Sequence, residues 1–384
     1  MTGTYLHVTV DTAQSAKREG RACGDVVVCE RTAAATTVVL ADGLGAGIKA
    51  NVAATMACAR LTELLRGGFS LRDSFARLAG AMNHARTADL PFAAFTVAQV
   101  LNDGAATALT YETPAPLLAG MRRASELPQR VIEADKALAG ESCVRLAPGE
   151  GLLLVSDGVT QAGIGKGLRR GWGIEGVARF VNLQLDLGRT ADELPELIRR
   201  EALGHDGGRA EDDATATLAR CRPGRLLTLL TGPPANRAQD AEVVREFMAA
   251  PGPKAVCGGV TARIVAERLG KTLRVQEDSL ETLAPPEYAL DGVDLVAEGA
   301  VTLNQAYNVI DEDPARHEEE SSVTRLCALL RDADRVDVLL GGALNPAGEH
   351  IAFRQKGIIT RARIVPLLAE KLRAMGKLVV VKKV

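Results

Sequence analysis

An apolar run, Val38-Val39-Leu40-Ala41, ends in Asp42 and then breaks into alternating glycines, Gly43, Gly45 and Gly47, ahead of an Ala-rich segment with helical spacing. Val, Val and Leu favour a buried strand, and glycine lets a backbone turn sharply and approach a neighbour closely. The stretch predicts strand, acidic turn, helix, with Asp42 at the strand's exit facing the helix start. One carboxylate there is explained as a helix N-cap. The pattern recurs, however. Gly151 to Val155 runs apolar into Ser156-Asp157-Gly158, Glu211-Asp212-Asp213 leads into the alternating Ala214 to Leu218, and Asp25 stands between Gly24 and Val26-Val27-Val28. Aspartates repeated at strand ends point to one shared site.

The 384 residues exceed a single ordinary core, so two domains are expected. Strands are predicted over Tyr5 to Asp11, Asp25 to Glu30 and residues 36 to 42, then helices from Ala46 to Leu65 and Leu71 to Arg86. A hairpin around Asn102-Asp103-Gly104 follows, and Pro114 to Leu118 reads as a continuation of that meander. Gly163 to Gly173 reads as a mobile loop, followed by helices over Gly176 to Leu187 and Ala191 to Ala202 and by a closing strand after Asp213. This makes an α+β layered first domain, residues 1–221. Arg222-Pro223-Gly224 interrupts the pattern, and beyond it strands alternate with Gly-led helices, so residues 226–384 are expected to form a smaller α/β domain with a mostly parallel sheet. The acidic run Glu318-Glu319-Glu320 reads as solvated.

A formal net charge of -2 supplies no field for nucleic acid or an anionic membrane, and no apolar run is long enough to span a bilayer or serve as a signal-peptide core. A cytoplasmic protein is expected. Seven cysteines without a C-x-x-C pair argue against a disulfide framework, and most should be small core residues.

Clustered aspartates cannot all stay ionised unless cations neutralise them. All-oxygen ligation with no His in the motifs suits Mn²⁺ or Mg²⁺ better than Zn²⁺. Two such ions about 3.5–4 Å apart could share and activate a water for in-line attack on a phosphate ester. That chemistry is phosphoester hydrolysis.

Gly24-Asp25, Asp42-Gly43-Leu44-Gly45-Ala46-Gly47, Ser156-Asp157-Gly158 and Asp212-Asp213-Ala214-Thr215, in this order with a helix pair after the second, resemble the type 2C metal-dependent serine/threonine phosphatases. The nearer likeness is the bacterial branch typified by the stage II sporulation protein E phosphatase, over roughly residues 1 to 221. The resemblance implies a four-layer αββα sandwich holding two metal ions between its central sheets. It implies Asp25 and Asp42 as ligands, Asp42 bridging with the Gly43 carbonyl taking part, and Asp157 and Asp212 completing the second ion's shell. Asp213 remains the alternative to Asp212, because neighbours on an extended segment point opposite ways. The implied substrate is phosphoserine or phosphothreonine on a protein, an anti-sigma-factor antagonist being one candidate. Leu44 and Ala46 depart from residues common in the family. No phosphate-gripping Arg is evident, although Arg18 or Arg21 could reach from the loop before Asp25, and His84 reads as a surface or packing residue.

Other motifs fail. Gly270-Lys271-Thr272 ends like a P-loop, but Val265 stands where the opening glycine is required. In the second domain, Gly258-Gly259-Val260-Thr261, Gly299-Ala300-Val301-Thr302 and Gly341-Gly342 either make short turns or line a pocket for a small anionic ligand. Because phosphatase domains of the branch it resembles are commonly joined to regulatory modules, the resemblance implies that the second domain regulates the first. A catalytically idle scaffold is the rival reading, and a homodimer stays open.

Overall fold

The computed structural model describes residues 5–18, 20–45, 47–88, 90–275, 287–316, 321–343 and 357–384. Ala46, Glu318-Glu319-Glu320 and Leu344-Asn345-Pro346 lie outside the described residues. The chain divides into two compact units, Met1–Pro223 and Gly224–Val384.

In the first unit, strands β1 (Leu6–Ser15), β2 (Asp25–Arg31) and β3 (Ala35–Gly43) precede helices α1 (Ile48–Arg66) and α2 (Leu71–Thr87). Seven strands follow: β4 (Ala93–Leu101), β5 (Ala105–Tyr111), β6 (Leu117–Ala119), β7 (Ala124–Glu126), β8 (Arg130–Ala134), β9 (Ala137–Arg145) and β10 (Gly151–Val155). The short α3 (Asp157–Thr160), then α4 (Ile174–Asp186), α5 (Leu194–His205) and β11 (Ala214–Pro223), complete it. One antiparallel sheet has the order β2-β3-β4-β5-β9-β8 and the other β1-β11-β10-β6-β7.

Strand alternation builds four layers from these sequences. Val38 and Leu40 enter the core between the two sheets with Leu152, Leu154 and Ala219. Val39 and Ala41, pointing the other way, pack under α1 and α2 with Ala54, Leu61, Phe75 and Leu78. On the second sheet, Leu153, Ala216 and Leu218 pack under α4 and α5 against Val177, Val181 and Ile198. The result is an αββα sandwich. Ser70 caps α2 by accepting from the Asp73 amide, whereas α1 begins at Gly47 with φ 70° and no side-chain cap.

Two local expectations change. Leu117–Ala119 does not extend the meander but pairs with β10 in the opposite sheet. Pro114 and Pro116 lack the amide donor a ladder needs, and they carry the chain across. The glycine-rich 163–173 segment is tied down rather than loose: the Gly163 amide donates to Asp206 Oδ1 at 2.7 Å, and Trp172 packs on Phe180 and His205.

The second unit contains β12 (Leu226–Thr231), α6 (Asp240–Ala249), β13 (Lys254–Cys257), α7 (Gly259–Leu269), β14 (Arg274–Val275), β15 (Glu287–Leu290) and β16 (Val293–Ala297). It continues with α8 (Ala300–Val309), α9 (Ser322–Asp332), β17 (Arg335–Leu340), α10 (Arg361–Ala374) and β18 (Leu378–Lys383). The sheet order is β14-β15-β16-β13-β12-β17-β18. Its five strands from β16 to β18 are parallel, and β14 and β15 form an antiparallel edge. Helices cover both faces: Phe247 and Val265 fill one core, and Leu303, Leu326, Ile364 and Leu368 the other. Such two-sided burial explains the nearly continuous apolar runs of these strands. Among the described residues, no helix is long and apolar enough to cross a membrane.

Candidate metal centre

Parity along the strands decides which side chains meet. Asp42 continues the face of Val38 and Leu40, and Asp25 lies directly opposite it in the β2–β3 ladder. Both carboxylates therefore leave the backbone toward the space between the sheets, at one end of the sandwich. On β11, Ala219 and Cys221 face between the sheets, so Thr217, Thr215 and Asp213 do as well, while Ala214, Ala216 and Leu218 face the helices. Ser156 follows Leu152 and Leu154 on the same face and accepts from the Thr215 amide at 2.9 Å.

The glycines beside these aspartates permit close approach. A Cβ on Gly43 would stand 1.9 Å from the Ala50 carbonyl oxygen, so the first turn of α1 lies directly on the end of β3. A Cβ on Gly158 would stand 2.1 Å from the Asp213 carbonyl oxygen, and one on Gly24 would stand 2.7 Å from Asp213 Oδ2. The strand ends are thus pressed together around the acidic groups.

Burial raises the Asp42 carboxyl to about 10, and Asp25, Asp157 and Asp212 each push it further in that direction. Burial likewise raises Asp25 to about 7; the nearby Thr215 and Ser156 hydroxyls act the other way, and Asp213 adds to the rise. Neither hydroxyl closes a hydrogen bond on Asp25, whose two carboxylate oxygens, like Asp213 Oδ2, are buried without partners. Asp212 is raised too, by burial first, with the Asp213 amide and Lys17 opposing. At the start of α3, Asp157 accepts from Gln161 Nε2 at 2.8 Å.

Lys17 is the cation that the sequence reading passed over. Its ammonium lies 3.5 Å from Asp212 Oδ1, and its amide donates to Asp213 Oδ1 at 2.9 Å. Arg18 and Arg21 are exposed, as is His84 on α2. Gln14, also unremarked in the sequence, donates to Thr215 Oγ1 at 3.0 Å and to the Asp25 carbonyl at 3.3 Å. Strand parity was the signal available for it, since Gln14 lies on β1 opposite Thr215.

Asp212 and Asp213 serve different neighbours. Asp212 acts on Asp42 and feels Asp157, whereas Asp213 packs against Gly24 and acts on Asp25. The donor set, carboxylates and a backbone carbonyl with orphaned buried oxygens, fits a hard divalent cation. Among the described residues, no three His, Cys, Asp or Glu side chains converge on one ready-made ion position. Magnesium-like ions keep several waters and take only one or two carboxylates each, so a preassembled triad is not required.

Residues 32–222 match the family model described as Stage II sporulation protein E (SpoIIE). The match begins beyond Asp25, whose place in the site rests on its pairing with Asp42. No curated protein matches the chain. Among solved structures, the phosphatase domain and regulatory fragment of SpoIIE from Bacillus subtilis is similar at 16% identity and a TM-score of 0.47; the match covers 57% of this chain and 65% of that one. The RsbU and RsbW domains of a Mycobacterium tuberculosis protein are similar at 16% identity and a TM-score of 0.48, covering 69% and 70%. The SiaA phosphatase domain of Pseudomonas aeruginosa is similar at 18% identity and a TM-score of 0.44, covering 55% and 85%. Residues 32–222 are a SpoIIE-family domain, which places the first unit of this chain in the bacterial branch of the type 2C phosphatase fold.

Proposed function

We propose that the first unit hydrolyses phosphoserine or phosphothreonine on a protein, at a site for two Mn²⁺ or Mg²⁺ ions. The observation that carries this reading is the cross-strand pair of a buried Asp25 and a half-buried Asp42 between the sheets, with Asp157 and Asp212 acting on Asp42. A fold gathers mutually repelling carboxylates in a dry position only at a cost, which a bound cation removes. Bound ions would supply an activated water and neutralise charge on the phosphoryl oxygens. Asp25, Asp42, Asp157 and Asp212, with the Gly43 carbonyl, would hold the ions. Asp213, anchored by the Lys17 amide, would position the Asp25 strand end. A phosphorylated anti-sigma-factor antagonist is the first protein substrate to try, on the strength of the SpoIIE family match. Regulation of this activity by the second unit is part of the proposal.

Hydrolysis of p-nitrophenyl phosphate and of a phosphoserine peptide, with Mn²⁺, Mg²⁺ or EDTA, tests it in wild type beside Asp42→Ala and Asp157→Asn. Metal-dependent turnover lost in both variants supports the phosphatase. The rival reading is a catalytically idle scaffold. It predicts no turnover with either metal from full-length protein and from residues 1–223 alike, whereas turnover appearing only in the shorter chain indicates inhibition by the second unit.

A further inference from the structure

The second unit holds donor groups that the phosphatase reading leaves unused, at the carboxyl ends of β13 and β16. These strands are parallel neighbours, and each turns through a glycine directly into a helix. The Gly258 amide donates to the Ala297 carbonyl at 2.8 Å, and a Cβ on Gly299 would stand 3.4 Å from the Gly258 Cα, so the starts of α7 and α8 touch. Neither helix has a side-chain cap. Their first intrahelical bonds run from the Ala262 amide to Gly258 and from the Leu303 amide to Gly299. The amides of residues 259–261 and 300–302 are therefore left over, as at any helix start.

A second observation makes this more than two helix ends. Thr261 and Thr302, the third residue of each helix, are 3% and 0% exposed, and both hydroxyls are buried without a hydrogen-bond partner. Thr261 Oγ1 leans back over its own helix start, 3.0 Å from where a Gly258 Cβ would be. Above Gly259 the space is open, with nothing within 4 Å of a built Cβ. Paired amides, two helix dipoles and two waiting hydroxyls suit a phosphate group. Glu298 sits partly buried immediately before Gly299, and a carboxylate there accepts only from a ligand that brings its own donors. The third glycine loop of the sequence does not join this cluster by contact: Gly341 packs on Gly232 and Pro233.

We infer that the second unit binds the phosphate of a small hydroxyl-bearing phosphate monoester, a sugar phosphate or nucleotide, between the starts of α7 and α8, with Glu298 accepting from a ligand hydroxyl. The site is independent of the phosphatase reading. Titration calorimetry on the full chain in EDTA, with inorganic phosphate, ribose 5-phosphate and AMP as probes, tests it without turnover. Gly259→Asp fits the open space and suits a helix start, so its melting temperature should not fall, yet it should weaken binding at least about tenfold. Thr261→Val with Thr302→Val should weaken binding several-fold, and Glu298→Gln should remove the preference for ribose 5-phosphate over inorganic phosphate. No saturable binding of any probe at millimolar concentration, or binding that Gly259→Asp leaves unchanged, overturns the site. Inorganic phosphate binding as tightly as both ribose-containing probes overturns the role of Glu298.

Discussion

Asp25 and Asp42 face each other across the β2–β3 ladder, and both carboxylates point between the two sheets. Like charges directly opposed on one face destabilise a ladder. The pair is an unfavourable contact unless protons or cations intervene.

Asp42→Asn should separate function from stability. Removing the more strongly raised of the two carboxyls relieves repulsion from Asp25, Asp157 and Asp212. Metal-free protein should gain on the order of 1 kcal/mol, roughly 2–4 °C in melting temperature for a unit of this size. Metal-dependent turnover should fall by about 10²–10³-fold. Thermal melts in EDTA and initial rates in Mn²⁺ check both.

The pH profile follows from the same pair. Folding raises Asp25 from 3.8 to about 7 and Asp42 from 3.8 to about 10. Groups raised on folding contribute stability that is complete below their unfolded value and is lost as pH rises through the folded one. Glu196, held down to about 2 by Arg199 before any other cause, works in the opposite sense and loses its contribution as pH falls. Metal-free protein should therefore melt highest near about pH 4, fall most steeply as pH rises to about 7, where both groups contribute, and fall further to about 10 through Asp42 alone. Saturating Mn²⁺ should flatten that decline, because cation binding replaces proton binding. Melting curves across pH, with and without Mn²⁺, read this out.

Gly43→Ala should damage the site through the fold. The added methyl would stand 1.9 Å from the Ala50 carbonyl oxygen, a backbone atom, so α1 must lift from the end of β3. A loss of about 1–3 kcal/mol is expected, as for other overpacked positions. Calorimetric unfolding measures the loss, and Mn²⁺ titration should show weaker binding although no side-chain ligand has changed.

Lys17→Ala should do the reverse. The side chain and its partner Asp212 are each roughly two-fifths exposed, so the pair adds little stability, within about 0.5 kcal/mol. The Lys17 amide continues to hold Asp213 in any variant. Removing a competing ammonium should tighten Mn²⁺ binding a few-fold, which isothermal titration would resolve.

Sequence pattern exposed the acidic strand ends because they break apolar runs, and the helix pair because apolar residues recur at helical spacing and Gly67 ends the first helix. It missed β7, β8 and β9 for a physical reason. There the apolar Val131 and Leu138 face outward at 72% and 73% exposure, while Ala139 and Ser142 are buried. Glu141 is buried with them, tied to Arg72 at 2.6 Å and to Arg130. Hydrophobic alternation is inverted, so no strand is visible. The choice between Asp212 and Asp213 was hidden likewise, since it depends on the face on which β11 begins, and composition does not encode that register.

The β1–β11 ladder pairs Leu6 with Pro223, joining the first strand of the unit to its last. During synthesis, β1 emerges more than two hundred residues ahead of its partner strand β11, a wait of roughly 10–40 s at ordinary translation rates. Neither Asp212 nor the strand that anchors it exists until the end of that interval. A nascent chain of this kind cannot acquire its acidic cluster piecemeal, and a ribosome stalled before residue 212 would display an inert half-sandwich with an open edge inviting aggregation.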